Sequence, residues 1–315
     1  MIVAAIDVGT NTTRLLVAET AGGTLRELHR ETRITRLGEG VDARRRLLPA
    51  PIARVRNALV DYRRIAERLG AERTLLVATS AVRDAENGEA FLGAIEWGYG
   101  FATRVLSGDE EAATMLRGVS TGRPVDDATL VVDIGGGSTE LIAGGFHTSL
   151  DVGSVRHTER FLHGDPPEPH ELAACAGAIR SVLAERVPDE VRNRVRSAVG
   201  VAGTVTSIAA LDLGLVAYDR ARVDGHRLTA AGARAQLERL ASLPLAERRE
   251  VPALEPERAP VIVAGAIVLA ETLDRFGLDA IDVSERDILD GAALAAAELP
   301  EPEEGAAPPG AHTCC

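Results

Sequence analysis

Two stretches of the chain follow one pattern of apolar and polar positions. Each has an apolar run that ends in an aspartate, a short turn that contains glycine, and a second apolar run. This pattern predicts a buried strand, a tight turn and a returning strand. In the clearer copy, residues 130–144, three glycines follow Asp133. Consecutive glycines let the backbone approach a ligand closely and turn its N–H groups toward an anion.

The other copy lies 126 positions earlier, at residues 6–17. The alignment sets Asp7 on Asp133 and preserves the glycine, hydroxyl and apolar positions, but Arg14 stands where the later copy has Glu140. One turn has a nearby cation and the other has an additional carboxylate. Two related turns of this kind suggest a cleft that binds phosphate and metal together. Each copy could instead be only a hairpin with a glycine turn, but repetition at a domain-sized separation favours a functional pair. The candidate phosphate-binding residues of the two turns are Asp7, Gly9, Thr10, Asn11, Thr12, Arg14, Gly135, Gly136, Gly137, Ser138 and Thr139.

Apolar spacing also predicts the other elements of the chain. Strands are expected at residues 15–18, 24–30, 74–79, 103–106, 198–201 and 281–284. Helices are expected at residues 51–69, 89–97, 108–119, 171–187, 229–240, 259–276 and 288–299, and a strand-to-helix turn lies near residue 203. Residues 152–169 are predicted to be loop. The polar, turn-rich residues 122–127 mark a domain boundary, which gives domains at 1–124 and 125–299 and a disordered tail at 300–315.

Three further stretches of the chain contain candidate functional residues. Ser80 and Arg83 follow a predicted strand, where α/β sheets place ligand groups, although Arg83 could equally form a surface ion pair. Ser107 and Glu110 have the spacing of a capping box, which leaves Glu111, about 100° further round the helix, available as a general base. Gly203 and Thr204 begin a predicted helix and form either a third anion site or a plain turn.

An arginine-rich stretch follows the first turn. It contains Arg30, Arg33, Arg36 and the run at residues 44–46. Such a run is usually a solvated surface, and the alternative is a rim that receives a long anion.

Length, charge and composition narrow the class of protein. A chain of 315 residues exceeds the usual size of one core, so two domains are expected. The net charge is −12 and aromatic residues make up 3%, which argues against a nucleic-acid-binding protein. All 35 basic residues are arginine, which excludes a lysine-containing P-loop and Schiff-base chemistry.

The three cysteines predict no disulfide framework, and no apolar run is long enough to span a membrane, so a cytoplasmic location is expected. The seven histidines have no zinc-ligand spacing.

Taken together, these motifs resemble the exopolyphosphatase and guanosine pentaphosphate phosphohydrolase family of the actin, Hsp70 and sugar-kinase superfamily. The resemblance is strongest at residues 4–11, 107–112, 133–140 and 283–291. It implies an α/β fold with two ribonuclease-H-like domains around a central cleft, and a homodimer. It also implies that Glu111 is the base that activates water, that Asp133 and Glu140 position Mg²⁺ and water, and that both turns bind phosphates.

Two departures from the family pattern affect the expected substrate. Thr10 and Thr12 stand where many members have serine, and the added methyl groups narrow the pocket. The chain ends where longer relatives continue into additional helical domains, which favours short-chain substrates.

The resulting expectation is an exopolyphosphatase that releases terminal orthophosphate from inorganic polyphosphate by metal-assisted attack of water. Three alternatives stay open: a guanosine pentaphosphate (pppGpp) phosphohydrolase, a kinase of the same superfamily, and a sensor that binds polyphosphate or alarmone without turnover. No nucleic-acid or membrane partner is expected.

Overall fold

The computed structural model describes residues 1–300 of the chain. In the first part, strands and helices alternate after an opening antiparallel meander. The elements are β1 (Ile2–Val8), β2 (Thr12–Ala21), β3 (Thr24–Ile34), α1 (Val41–Arg44), α2 (Pro49–Arg68), β4 (Arg73–Ala78), α3 (Ser80–Arg83), α4 (Gly88–Tyr99), β5 (Ala102–Val105) and α5 (Gly108–Val119).

The second part repeats the meander and is then mainly helical. Its elements are β6 (Thr129–Ile134), β7 (Thr139–Ala143), β8 (Phe146–Leu150), α6 (Ser154–Phe161), α7 (Pro169–Arg186), α8 (Asp189–Arg194), β9 (Ser197–Val201), α9 (Ala202–Asp212), α10 (Arg220–Val223), β10 (Arg227–Thr229), α11 (Ala230–Ser242), α12 (Leu245–Arg248), α13 (Ile262–Phe276), β11 (Ala280–Val283) and α14 (Ile288–Ala297).

Most predicted elements are present, but the predicted loop at residues 152–169 is wrong in its first half. Residues 154–161 form α6, which has no side-chain cap at Gly153 and only two turns. Its backbone N–H groups bond instead to carbonyl groups of the turn that follows β6. Because these bonds join residues distant in sequence, local periodicity gave no signal for this helix.

The chain divides into two compact units. The first unit contains residues 1–123 together with the segment from Ile288 onward, and the second unit contains residues 124–287. The boundary expected at residue 124 is therefore one residue away, but the assignment of residues 288–299 to the second domain was wrong. The predicted tail lies almost entirely outside the described residues.

Helix α14 belongs to the first unit because it packs against α5 and against strands β1, β2 and β4 of that unit. It packs on α5 so closely that a Cβ at Gly291 would lie 1.9 Å from the Thr114 carbonyl oxygen. The fully buried Asp290 accepts a hydrogen bond of 2.9 Å from Arg30 in β3. Arg73, at the start of β4, donates to the Ala297 carbonyl oxygen at 2.8 Å.

The sheet of the first unit has five strands in the order β3-β2-β1-β4-β5. Strands β1, β4 and β5 are parallel, whereas β2 and β3 run antiparallel to their neighbours. The central strand β1 has six buried residues in sequence, as expected for a strand covered on both faces. Its core side chains pack against α2 and α4.

The sheet of the second unit has the order β10-β11-β9-β6-β7-β8. Apart from the short edge strand β10, its order and strand directions match those of the first sheet, with β6, β7, β8, β9 and β11 in place of β1 to β5. Helix α13, whose residues are nearly all buried, fills the core beside it. The predicted α/β class with two ribonuclease-H-like halves is confirmed.

Among residues 1–300, no helix is long and apolar enough to cross a lipid bilayer.

Candidate active site

The turn between β1 and β2 is closed by a backbone hydrogen bond of 2.9 Å from Gly9 N–H to the Thr12 carbonyl oxygen. Its own carbonyl groups are also used. The Thr10 carbonyl accepts from Gly38 N–H at 2.8 Å, and the Asn11 carbonyl accepts from Arg36 N–H at 2.9 Å. Backbone N–H groups of the segment after β3 therefore bind the carbonyl groups of this turn.

The turn between β6 and β7 is closed in the same way, by a bond of 3.0 Å from Gly135 N–H to the Ser138 carbonyl oxygen. Here α6 holds the carbonyl side. Val155 N–H donates to the Gly136 carbonyl at 2.8 Å, and Arg156 Nε donates to the Gly137 carbonyl at 2.7 Å.

In each turn two of the amide N–H groups are left available for a ligand. Within residues 1–300, no hydrogen bond is made by the backbone N–H of Thr10, Asn11, Gly136 or Gly137. Successive unpaired N–H groups in a turn form a concave site that suits an anion. The predicted phosphate-binding turns thus have the required donors in both units.

Polar side chains gather at the first turn. The hydroxyl groups of Thr10 and Ser80 lie 2.9 Å apart, and both residues are buried. The buried side-chain carbonyl oxygen of Asn11 has no hydrogen-bond partner within the described chain. An unpaired buried polar group is costly, so these side chains favour a polar ligand here.

Cross-strand pairing shows the effect of having Arg14 in one copy where the other copy has Glu140. Asp7 of β1 lies opposite Arg14 of β2, and the Arg14 guanidinium donates to Asp7 Oδ2 at 2.7 Å. Asp133 of β6 lies opposite Glu140 of β7 in the same register. The first unit therefore has an ion pair where the second has two carboxylates.

The two carboxylates are a suitable site for a hard cation. Asp133 is 7% exposed and Glu140 is 2% exposed, so each has lost most of the water that would screen their repulsion. Ser149 Oγ donates to Glu140 Oε1 at 2.9 Å and helps to fix this side chain. Mg²⁺ prefers oxygen ligands and commonly binds one or two carboxylates while water and substrate phosphates complete its shell.

Within the described residues, no group of three or more His, Cys, Asp or Glu side chains could hold a metal ion. Asp133 and Glu140 therefore fit Mg²⁺ with water and substrate, and do not form a closed structural site.

Glu111 has the position that the capping box predicts. Ser107 Oγ accepts from Glu110 N–H at 3.3 Å, and Glu110 Oε2 accepts from Ser107 N–H at 2.8 Å. Hydrogen bonds from the backbone and hydroxyl of Ser107 lower the pKa of Glu110. Glu110 is committed to the cap, while Glu111 is 4% exposed and turns inward.

Arg83 makes an ion pair with this buried carboxylate, since its Nη1 donates to Glu111 Oε2 at 2.9 Å. The same nitrogen donates to the Leu106 carbonyl oxygen at 2.9 Å, which fixes the guanidinium. The partner of Arg83 is therefore the candidate base, so the prediction that it contacts phosphate stays a prediction.

Arg258 is a candidate that sequence analysis missed. Its guanidinium lies on the start of α9, where a Cβ added to Gly203 would lie 2.1 Å from Arg258 Nη1. Glu255 Oε2 accepts from Arg258 Nη2 at 3.0 Å. The guanidinium occupies the space into which a side chain at position 203 would project. No local motif marks Arg258, which is 55 residues further along the chain.

Thr139 does not fit its predicted role as a phosphate ligand. Its side chain is completely buried, and its hydroxyl donates to the Val152 carbonyl oxygen at 2.6 Å. It therefore supports the loop before α6. Ser138 and Thr204 are also buried, with 3% and 4% exposure, and Thr204 packs against Gly265 of α13.

Known proteins match this chain over nearly its whole length. The profile of the Ppx/GppA phosphatase family matches residues 16–297. Exopolyphosphatase 2 of Mycobacterium tuberculosis is 42% identical over 319 aligned positions, which cover 94% of this chain and 98% of that protein. The crystal structure of an exopolyphosphatase-like protein matches this fold with a TM-score of 0.87 at 34% identity. The match covers 93% of this chain and 98% of the chain in that structure.

A crystal structure of the Ppx/GppA family member of Aquifex aeolicus has a TM-score of 0.79 at 30% identity and covers 95% of this chain and 98% of its own. Sequence and fold thus agree over nearly the full length of the chain. The protein, with its two glycine turns and its buried Glu111, belongs to the Ppx/GppA phosphatase family.

Proposed function

We propose that the protein is an exopolyphosphatase, which hydrolyses the terminal phosphoanhydride bond of inorganic polyphosphate and releases orthophosphate. The observation that carries the proposal is Glu111, a buried carboxylate fixed by Arg83 at the first turn of a capped helix. The family relation and the 42% identity to Exopolyphosphatase 2 support the same activity.

The first unit supplies the base and one set of phosphate ligands. Glu111 accepts a proton from the attacking water, and Arg83 keeps the carboxylate in position. The N–H groups of Thr10 and Asn11, with the hydroxyl of Ser80, hold phosphate oxygens. Fixed donors of this kind stabilise the charge that develops in phosphoryl transfer without reorganising during the reaction.

The second unit carries its own set of phosphate ligands and the metal ligands. The N–H groups of Gly136 and Gly137 and the Arg258 guanidinium bind phosphate oxygens. Asp133 and Glu140 would hold Mg²⁺, which when bound neutralises charge on the phosphates. Arg14 is engaged by Asp7, so its contribution is to hold the first turn and supply positive charge beside it.

The reaction balances without a further reactant. The water oxygen forms a bond to the terminal phosphorus as the bridging P–O bond breaks. The proton goes to Glu111 and then to solvent or to a released phosphate. The products are orthophosphate and a chain shorter by one phosphate.

Replacement of the proposed base tests this function. Glu111→Gln should lower kcat for orthophosphate release from polyphosphate by about 10²- to 10⁴-fold, because an amide cannot accept the proton. Glu110→Gln is the matched control: it removes a neighbouring carboxylate of the same helix turn, and most of the activity should remain. Equal activity of wild type and Glu111→Gln would contradict the assignment, and polyphosphate binding without any turnover would identify a sensor.

A guanosine pentaphosphate phosphohydrolase is the second candidate, because one relative that matches 91% of this chain is named guanosine-5'-triphosphate,3'-diphosphate pyrophosphatase. The substrates of the two activities differ in the group beyond the scissile bond, which is a phosphate chain in polyphosphate and a nucleoside in pppGpp. Comparison of kcat/KM for tripolyphosphate, longer polyphosphates and pppGpp assigns the preferred substrate. The same samples, analysed by light scattering, test the proposed homodimer.

A further inference from the structure

The segment of residues 36–47 concentrates positive charge at the first turn. It contains four arginines and two carboxylates, a net charge of +2 in a chain whose net charge is −12. One of those carboxylates, Glu39, is paired with Arg54 of α2 at 2.8 Å. We call residues 36–47 the arginine segment.

Backbone hydrogen bonds fix the arginine segment at both ends. At its start, Arg36 and Gly38 bond to the carbonyl groups of the first turn. At its end, the Arg45 carbonyl accepts from Glu86 N–H at 2.9 Å, and the Asn87 side chain bonds to both backbone groups of Leu47, at 2.8 and 3.1 Å. The segment therefore connects the first turn to the residues that follow α3, the helix of Ser80 and Arg83.

Two arginines of the segment adopt a backbone conformation that is rare for their residue type. Arg36 has φ of 50° and Arg45 has φ of 53°. Left-handed geometry is unfavourable for a non-glycine residue and persists only where the surrounding structure enforces it. The start of the segment is also tightly packed, since a Cβ at Gly38 would lie 2.2 Å from the Thr10 methyl group.

The arginines at the end of the segment are available for a ligand. Arg44, Arg45 and Arg46 are all exposed. Within the described residues, none of the three makes a side-chain hydrogen bond or an ion pair, whereas Arg33 and Arg54 each bond to carboxylates. About six residues separate Gly38 from Arg44, and as turn and short helix they span roughly 9 Å.

We propose that Arg44, Arg45 and Arg46 form a binding subsite for the distal phosphates of a polyphosphate chain whose terminal phosphate occupies the first turn. The inference rests on the proposed function, which supplies the polyanion. A chain of evenly spaced charges suits a run of guanidinium groups because each contact releases bound counterions. A nucleoside in the same position presents no such row of charges, so the subsite selects polyphosphate over pppGpp.

The test compares chain lengths. Arg44→Gln/Arg45→Gln/Arg46→Gln removes three charges and leaves polar side chains at the three positions. The ratio of kcat/KM for polyphosphate of tens of units to kcat/KM for tripolyphosphate should fall about tenfold, the effect of three contacts worth about half a kcal/mol each. The slope of log kcat/KM against log salt concentration for the long substrate should become shallower by about 2.

The matched control removes three charges elsewhere in the same unit. Arg56→Gln/Arg64→Gln/Arg68→Gln changes exposed positions of α2 and should keep the wild-type ratio. An equal effect of the two triple variants would overturn the subsite in favour of general electrostatic attraction, and an unchanged ratio in the Arg44–Arg46 variant would overturn it outright.

A binding measurement separates this inference from the proposed function. In a Glu111→Gln background, where the proposed mechanism prevents turnover, loss of the three arginines should weaken the Kd for fluorescent long-chain polyphosphate about tenfold. That loss supports the subsite even if the wild type releases no orthophosphate. Full activity of the wild type with unchanged binding in the triple variant would reject the subsite and leave the exopolyphosphatase assignment intact.

Discussion

Asp7 and Asp133 occupy equivalent positions in the two units, but their cross-strand neighbours differ. This difference changes the charge around each aspartate. Both aspartates end a buried strand, and both face position 14 or its equivalent in the next strand. An arginine there neutralises Asp7 at 2.7 Å. A glutamate there places a second negative charge beside Asp133, which is favourable only with a proton or a cation nearby.

Glu140→Arg tests this argument, because it gives the second unit the pair that the first unit has. We expect Mg²⁺ to raise the Tm of the wild type by an amount that corresponds to about 1.4 kcal/mol at ten times its Kd. The variant should lose this Mg²⁺-dependent shift and melt higher than the wild type in EDTA, since a repulsive pair becomes attractive.

Thermal melts with EDTA and with Mg²⁺ measure both effects. Glu19→Gln, which changes an exposed carboxylate of β2, should keep the Mg²⁺ shift. A full shift in Glu140→Arg would place the ion elsewhere.

At the scale of elements, the start of α5 determines which side chain turns inward. The Ser107–Glu110 capping box sets the first residue of the helix, and this fixes Glu111 one step further round. The reciprocal hydrogen bonds satisfy N–H groups that a helix end would otherwise leave unpaired. A local sequence signal is thus sufficient to orient the candidate base.

Ser107→Ala should lower the free energy of unfolding by about 1 kcal/mol near pH 7 through loss of the cap. The loss should diminish in acid. The pKa of Glu110 is lower in the folded state than in the unfolded chain, so its stabilising contribution is complete above the unfolded value of about 4.3 and disappears as the pH falls through the folded value.

Urea unfolding of wild type and Ser107→Ala, at neutral pH and at progressively lower pH, measures this dependence. A difference that stays constant down to about pH 3 would show that Glu110 does not contribute to the cap.

At the scale of the whole molecule, the first unit is discontinuous in sequence. Helix α14 comes from the far end of the described chain, and its large apolar side chains Ile288, Leu289 and Leu294 are at most 6% exposed. Burial of three such side chains stabilises a core by roughly 5 kcal/mol. The second unit has no missing element of this kind.

Fragments of the chain should therefore behave differently. Residues 124–287 should unfold cooperatively on their own, whereas residues 1–123 alone should lack a cooperative transition. Joining residues 288–300 to the latter through a flexible linker should restore it. Circular dichroism during heating distinguishes these cases, and a cooperative transition of residues 1–123 without α14 would show that this helix is dispensable.

The sequence by itself determined the features that depend on neighbours in the chain. Strand-turn-strand periodicity, the repeated Asp-Gly turn and the capping box at Ser107 all arise within about a dozen residues, where backbone geometry and local hydrogen bonds decide the conformation. These features identified both glycine turns and the candidate base, and the repeat indicated two related halves.

Tertiary structure alone decided the features that join distant residues. Helix α6 forms on the carbonyl groups of a turn, α14 returns to the first unit, Thr139 turns to a loop carbonyl, and Arg258 fills the space above Gly203. Each depends on burial and on hydrogen bonds between segments that folding brings together, and such contacts leave no periodic signal in the sequence.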